Sequence, residues 1–162
     1  MIIIEDTRQQ KEKHELKHEW FSGNAVDLIR CKLPFGDYAL PPSLAIDTKK
    51  DMEEIAGNIC GTKAEHNRFK REVLAAKNAG CKLVFLVENM NGITSIDEVH
   101  TWINPRVVYY PGCVQGDRLE KAMKTMRSRY GCEFLFCAPE ESGEIISKLL
   151  GKEYEQRNAG SS

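Results

Sequence analysis

Apolar residues along this chain switch between two spacings, and each switch marks a new element. Residues 2–4 are consecutive isoleucines closed by Glu5 and Asp6, which predicts a short buried strand with acids at its end. Residues 9–21 are rich in helix formers, with Leu16 and Trp20 one turn apart. That spacing predicts an amphipathic helix with this pair inside, stopped at Gly23-Asn24. The stretch 26–31 reads as a strand, Pro34-Phe35-Gly36 breaks it, and 38–40 reads as a second, shorter strand. Pro41-Pro42-Ser43 is a turn into a strand over 44–48, on which Ile46 and Asp47 point to opposite faces. Tight turns between such short segments predict an antiparallel meander.

Beyond residue 50 the spacing becomes helical. Met52, Ile55, Ala56 and Ile59 form one stripe, and Phe69, Val73, Leu74 and Ala76 form another over 63–78, closed by Ala79-Gly80. Residues 82–88 are an unbroken apolar run, the pattern of a strand covered on both faces. Ser95 and Glu98 have capping-box spacing for a short helix over 95–102, ended by Asn104-Pro105. A longer helix is predicted over 117–130, with Gly131 as its stop, then a strand over 133–137 and a helix over 139–150 with Pro139 in its first turn. From 151 the chain turns polar, and 151–162 is expected to be a flexible tail. Helices alternating with apolar strands predict one α/β domain over 1–150, a central mixed sheet with helices on both faces.

Composition narrows the function. A length of 162 residues with 41% hydrophobic and 29% charged positions suits one folded domain. The net charge of -1 gives no global basic signature, so any nucleic-acid contact must come from a local face. Lys63, His66, Lys70 and Lys77 make one such face, and Lys121, Lys124, Arg127 and Arg129 another. The six cysteines form no CxxC pair and no zinc-finger spacing, which predicts reduced thiols in a cytoplasmic protein. No apolar run approaches the ~20 residues of a membrane span, so no membrane partner is expected.

Two acids and a lysine carry the candidate chemistry. Asp37 follows Gly36, where the backbone can turn sharply and aim a side chain inward. Asp47 and Lys49, two apart on a strand, project to one face. A hairpin through Pro41-Pro42 brings Asp37 beside Asp47. Two adjacent carboxylates repel unless a cation lies between them, and oxygen ligands suit Mg²⁺ or Mn²⁺. Such a cation polarises a phosphate oxygen and acidifies a bound water, while an ammonium neutralises developing charge. This is a minimal set for cutting a phosphodiester. Taken alone, Asp-x-Lys is a common solvated pair on charged strands. A second motif competes with it: His14-Glu15-Leu16-Lys17-His18 has the HExxH order of zinc hydrolases, although its helix is heavily charged and no third ligand stands out.

Four landmarks in order change the weight of the first motif. Ile3 to Arg8, the Phe35-Gly36-Asp37-Tyr38 segment, Ile46-Asp47-Thr48-Lys49 with the helix after it, and Arg68 to Glu88 together resemble the nuclease domain of the XPF-type structure-specific endonucleases, of the PD-(D/E)XK superfamily. The resemblance spans about residues 1–90 well and 115–150 loosely. It implies a restriction-endonuclease-like fold and metal-dependent hydrolysis of branched, flapped or partly single-stranded DNA, as in repair or recombination. Asp37, Asp47 and the Thr48 backbone carbonyl are then the metal ligands, and Lys49 the catalytic ammonium. Asp6, Arg8, Arg68, Arg71 and Glu72 become supporting residues, and Lys63, His66 and Lys70 DNA contacts. Glu53 is the preferred downstream acid, with Asp51 and Glu54 as alternatives. The resemblance also implies a homodimer; the helix-hairpin-helix module and helicase motor common in the family are not seen in this sequence, so a free-standing domain of the kind found in phages or mobile elements is expected. Asp47 stands where the family has Glu, and Thr48 where it has Arg. The competing reading within the same fold is a catalytically silent nucleic-acid-binding scaffold.

Overall fold

A computed structural model describes residues 2–8, 14–40 and 43–159. Among these residues six strands form one sheet: β1 (Ile2–Asp6), β2 (Asp27–Cys31), β3 (Tyr38–Leu40), β4 (Leu44–Lys49), β5 (Lys82–Glu88) and β6 (Glu133–Cys137), in the order β2-β1-β3-β4-β5-β6. The sheet is mixed, as expected. β3 runs antiparallel to β1 and β4, whereas β2 is parallel to β1, and β4, β5 and β6 are mutually parallel. The expected meander is therefore corrected at its first member. A helix lies between β1 and β2 in the chain, and such a crossover joins parallel neighbours.

Helices cover both faces. α2 (Met52–Cys60), α3 (Lys63–Asn78) and α4 (Gly116–Tyr130) pack over one core, around Phe69, Phe85, Met123 and Phe134. α1 (Glu15–Gly23) and α5 (Ser142–Ala159) pack over the other, around Ile3, Phe21, Tyr38 and Ile146. The caps explain the α2 and α3 boundaries. The Asp51 side chain accepts from the Glu54 amide at 2.7 Å, and Thr62 and Glu65 form a capping box at the start of α3. Gly131 ends α4 in the left-handed conformation with φ 74°.

Three local expectations are corrected. α1 buries Lys17 and Phe21 while Leu16 is 51% exposed, so the apolar pair did not mark its inner face. The Ser95 hydroxyl caps nothing; instead the Thr94 amide and hydroxyl donate to Glu98, and the segment Ile96–Thr101 is a 3-10 helix. The last helix opens with a 3-10 turn at Pro139–Glu141 and runs to Ala159, beyond the apolar pattern that ended at Leu150. The start of the first predicted helix, 9–13, and the Pro41-Pro42 turn lie outside the described residues. All six cysteines are free thiols. No helix among the described residues is long and apolar enough to cross a membrane.

Candidate active site

The site forms where β3 begins and β4 ends. Gly36 takes φ 72°, and a Cβ there would lie 3.1 Å from the Ala45 Cβ and 3.3 Å from the Ile46 carbonyl oxygen. Only a glycine fits both the dihedral and the space. The turn delivers Asp37 between two strands: its amide donates to the Ile46 carbonyl and its carbonyl accepts from the Asp6 amide, each at 2.7 Å. Asp6, Asp37 and Asp47 thereby come from three neighbouring strands to one end of the sheet.

Each carboxylate has a different holder. The Asp37 Oδ2 accepts from the Thr48 amide at 2.6 Å and from the Thr48 hydroxyl at 2.8 Å. The Asp47 Oδ1 pairs with the Lys49 ammonium at 2.8 Å, as two residues on one face of a strand permit. Lys49 is itself buried, with Nζ 5.7 Å from the Phe85 ring centre. Glu72 reaches in from α3: its Oε1 accepts from the Gly36 amide at 2.9 Å, and its carboxyl meets that of Asp47. Asp6 is clamped by Arg8, whose Nε lies 3.0 and 2.9 Å from its two oxygens, and Arg8 also donates to the Leu33 carbonyl at 2.7 Å.

The electrostatics separate these acids. Burial, and next the Asp47 charge, push the Asp37 carboxyl up to about 8, although the Thr48 donors and Lys49 pull it down. Burial raises Asp47 to about 7, with Glu72 adding to the rise and Lys49 opposing it. Burial also works to raise Asp6, but the Arg8 guanidinium more than offsets it, leaving Asp6 below the usual carboxylate range. Burial disfavours the Lys49 ammonium, yet the Asp47 carboxylate beside it holds its pKa above the ordinary lysine value. Among the described residues, Asp37 and Asp47 are the two carboxyls raised above their ordinary range.

These groups line a cleft of about 520 Å³, with Arg8, Arg68 and Arg71 on its walls beside Asp6, Asp37, Asp47 and Glu72. Arg68 and Arg71, both exposed, thus belong to the site. A second hollow, of about 110 Å³, also reaches Asp37, from the side of Lys17, Thr48, Lys49, Glu54 and Glu88. The three candidate downstream acids diverge. Glu54 lines that second hollow, Asp51 caps α2, and the preferred Glu53 lines other hollows with Arg106. Glu54 also accepts from the Lys50 amide at 2.9 Å. On α3, Lys63 is exposed and Lys70 half-buried, while the His66 Nδ1 lies 2.7 Å from the Ile59 carbonyl, a bond within the fold.

The HExxH histidines are turned to other partners. His14 Nδ1 lies 2.9 Å from the Tyr38 hydroxyl, and His18 Nε2 lies 2.5 Å from the Glu5 carboxylate. Tyr38 donates to the same Glu5 oxygen at 3.1 Å, and Arg30 Nε approaches the other at 3.0 Å. Lys17, on the same helix, forms a buried ion pair with Glu88. The motif's histidines therefore take part in a polar layer behind Tyr38, which counts against the zinc-hydrolase alternative. Sequence reasoning missed that layer; Lys17 and Glu88 are 71 positions apart (88 − 17) and share no motif.

The donor set suits a small hard cation. Among the described residues no three His, Cys, Asp or Glu side chains form a ready-made cage. Mg²⁺ and Mn²⁺ need less from a protein, since they retain several waters and bind through one or two carboxylates. Asp37 and Asp47 are two carboxylates brought to one cleft, a number that would meet that need. Thr48 sends its amide toward Asp37, and a strand residue presents its carbonyl along the same edge as its amide, so the Thr48 carbonyl is a third oxygen on that side.

No family model and no curated protein matches the chain. Solved structures do. XPF from Aeropyrum pernix superposes with a TM-score of 0.67 at 17% identity, covering 94% of this chain and 61% of that one. XPF from the same organism in complex with DNA gives a TM-score of 0.66 at 17% identity, covering 96% and 66%. The chain thus spans about three fifths to two thirds of the length of these structures. With its mixed sheet, two helical faces and acid-lined strand ends, this chain has the α/β restriction-endonuclease-like fold found in XPF.

Proposed function

We propose that the protein is a metal-dependent DNA endonuclease. The observation that carries this reading is the convergence of Asp37 and Asp47 in a cleft walled by Arg8, Arg68 and Arg71, with Lys49 paired to Asp47 and sharing the second hollow with Asp37. A bound Mg²⁺ or Mn²⁺ at such a site polarises a phosphate oxygen and lowers the pKa of a coordinated water. The residues have separable tasks. Asp37, Asp47 and the Thr48 carbonyl hold the ion. Lys49, buried and charged, neutralises the charge that grows on the phosphate. Arg68 and Arg71 grip the backbone on either side by charge-assisted hydrogen bonds. Glu54 is the downstream acid that best fits the site, because it shares a hollow with Asp37 and Lys49.

The neighbour solved with DNA supports DNA as the substrate. Branched, flapped or partly single-stranded DNA follows from the resemblance, as does a homodimer, and both belong to this proposal. Free thiols favour an intracellular setting.

The test is cleavage of labelled flap, fork and four-way-junction DNA with Mg²⁺ or Mn²⁺, against Asp47→Asn and Lys49→Ala. The wild type cuts at least one substrate, and each variant loses roughly 10²–10⁴ in rate. Equal cutting by all three removes this mechanism. Binding without cutting by the wild type makes the domain a scaffold.

A further inference from the structure

We propose that the Thr48 side chain is a positioning residue that fixes the Asp37 carboxylate for metal binding. The inference rests on the nuclease reading of the same site. Its basis is a fork: the amide and the hydroxyl of one residue, at 2.6 and 2.8 Å, both donate to the same Asp37 oxygen. Any residue but proline at position 48 would supply the amide. Only Thr or Ser would supply the second donor from that backbone position.

Two donors on one oxygen restrict the carboxylate in a way one cannot. A single bond leaves the group able to swing about its Cβ–Cγ torsion, a broad and nearly two-fold rotor. A second donor from a different direction removes that freedom. The donors are themselves rigid. Thr48 lies within β4, in register with Leu86 of β5, so the strand fixes its backbone while its own amide faces Asp37. Its β-branched side chain has few accessible rotamers. The Asp37 backbone is bonded on both sides, to Ile46 and to Asp6. The carboxylate is thus held at its root by the strands and at its tip by Thr48.

The same residue offers its carbonyl along the strand edge that carries the amide. One ligand and the support of another are therefore parts of a single residue. Groups that orient metal ligands commonly change metal affinity by 10–100-fold when removed.

The test is Mn²⁺ binding to the full chain without DNA, followed by isothermal titration calorimetry or the electron-spin signal of free Mn²⁺. Thr48→Val weakens Mn²⁺ by about tenfold, and Thr48→Ala, which adds no bulk, does the same. Thr48→Ser stays within about twofold of wild type. DNA affinity in EDTA is unchanged in all three, a readout that separates a metal-positioning role from general loosening of the cleft. Wild-type affinity in both Thr48→Val and Thr48→Ala overturns the proposal. So does a loss in Thr48→Ser equal to that in Thr48→Ala. A wild type that binds no Mn²⁺ removes the metal reading itself and this inference with it, an outcome distinct from a difference between variants.

Discussion

Replacing Asp37 by Asn should stabilise the metal-free protein at alkaline pH while abolishing metal binding. Asn keeps an oxygen for the Thr48 fork and removes the charge that burial and Asp47 disfavour. The carboxyl rises from 3.8 to about 8. At ~1.4 kcal/mol per pKa unit this sets a ceiling of roughly 5–6 kcal/mol on what ionised Asp37 costs the fold. Relaxation and water entry lower that, and about 1–3 kcal/mol is expected. The sign follows from linkage. Between about pH 4 and 8 the unfolded chain has released this proton while the folded one retains it, so the wild type loses stability as pH rises. Asn has no proton to lose, so its advantage grows across that window and levels off above about pH 8. Groups shared by both proteins cancel in the difference. For a domain of this size each kcal/mol moves Tm by about 2–4 °C. Thermal unfolding in EDTA at pH 5, 6, 7, 8 and 9 should show a Tm difference widening by roughly 3–10 °C. Millimolar Mn²⁺ should raise the wild type alone and narrow the gap, since a ligand stabilises the state that binds it. A Tm difference that is flat with pH, or a variant less stable than wild type at pH 8 in EDTA, refutes the argument that burial penalises the Asp37 charge.

Substitutions at Gly36, at the Lys17–Glu88 pair and at Glu72 probe other parts of the frame. Gly36→Ala forces a Cβ to within 3.1 Å of Ala45 at φ 72°; it should cost about 1–3 kcal/mol in urea unfolding and depress cleavage by misaiming Asp37. Lys17→Met strands the Glu88 carboxylate in the core and should cost about 3–5 kcal/mol, whereas Lys17→Met with Glu88→Leu should recover most of that, measured by the same unfolding curves. Glu72→Ala removes the acceptor of the Gly36 amide; cleavage should fall about tenfold or more, with Glu72→Gln, which keeps an acceptor, falling less in the same assay.

What the sequence made legible is local. The unbroken run of β5, the apolar stripe of α3 and the Gly131 stop of α4 each state their element within a few residues, and their boundaries agree closely with the fold. The Asp47-Thr48-Lys49 alternation states its own geometry, because side chains two apart on a strand must share a face. Strand direction is different. Nothing in residues 26–31 says whether they pair parallel or antiparallel, and the outcome depends on where α1 packs. The inner face of α1 misled for a physical reason: its buried positions are Lys17 and Phe21, with His14 buried at its N-cap, and the two polar residues are satisfied by partners far along the chain. Glu72 showed the same limit. Its bond is to Gly36, on a turn whose position only the assembled sheet determines. The choice among Asp51, Glu53 and Glu54 depended on the helix start, since the residue that caps α2 is withdrawn from the site.

The polar layer behind Tyr38 bears on how this sequence can drift. Glu5 is shared among Tyr38, His18 and Arg30, Tyr38 also touches His14, and Lys17 is joined to Glu88. An apolar core tolerates one-at-a-time exchange of similar volumes. A shared carboxylate does not, because any single loss leaves its partners buried with unmet charge. Descendants of this chain should therefore change these positions in concert, with Lys17 and Glu88 gained or lost together. In a collection of its homologues that joint inheritance would appear as covariation between the first helix and the end of the fifth strand, and would tie the ancestry of that helix to that of the sheet it packs on.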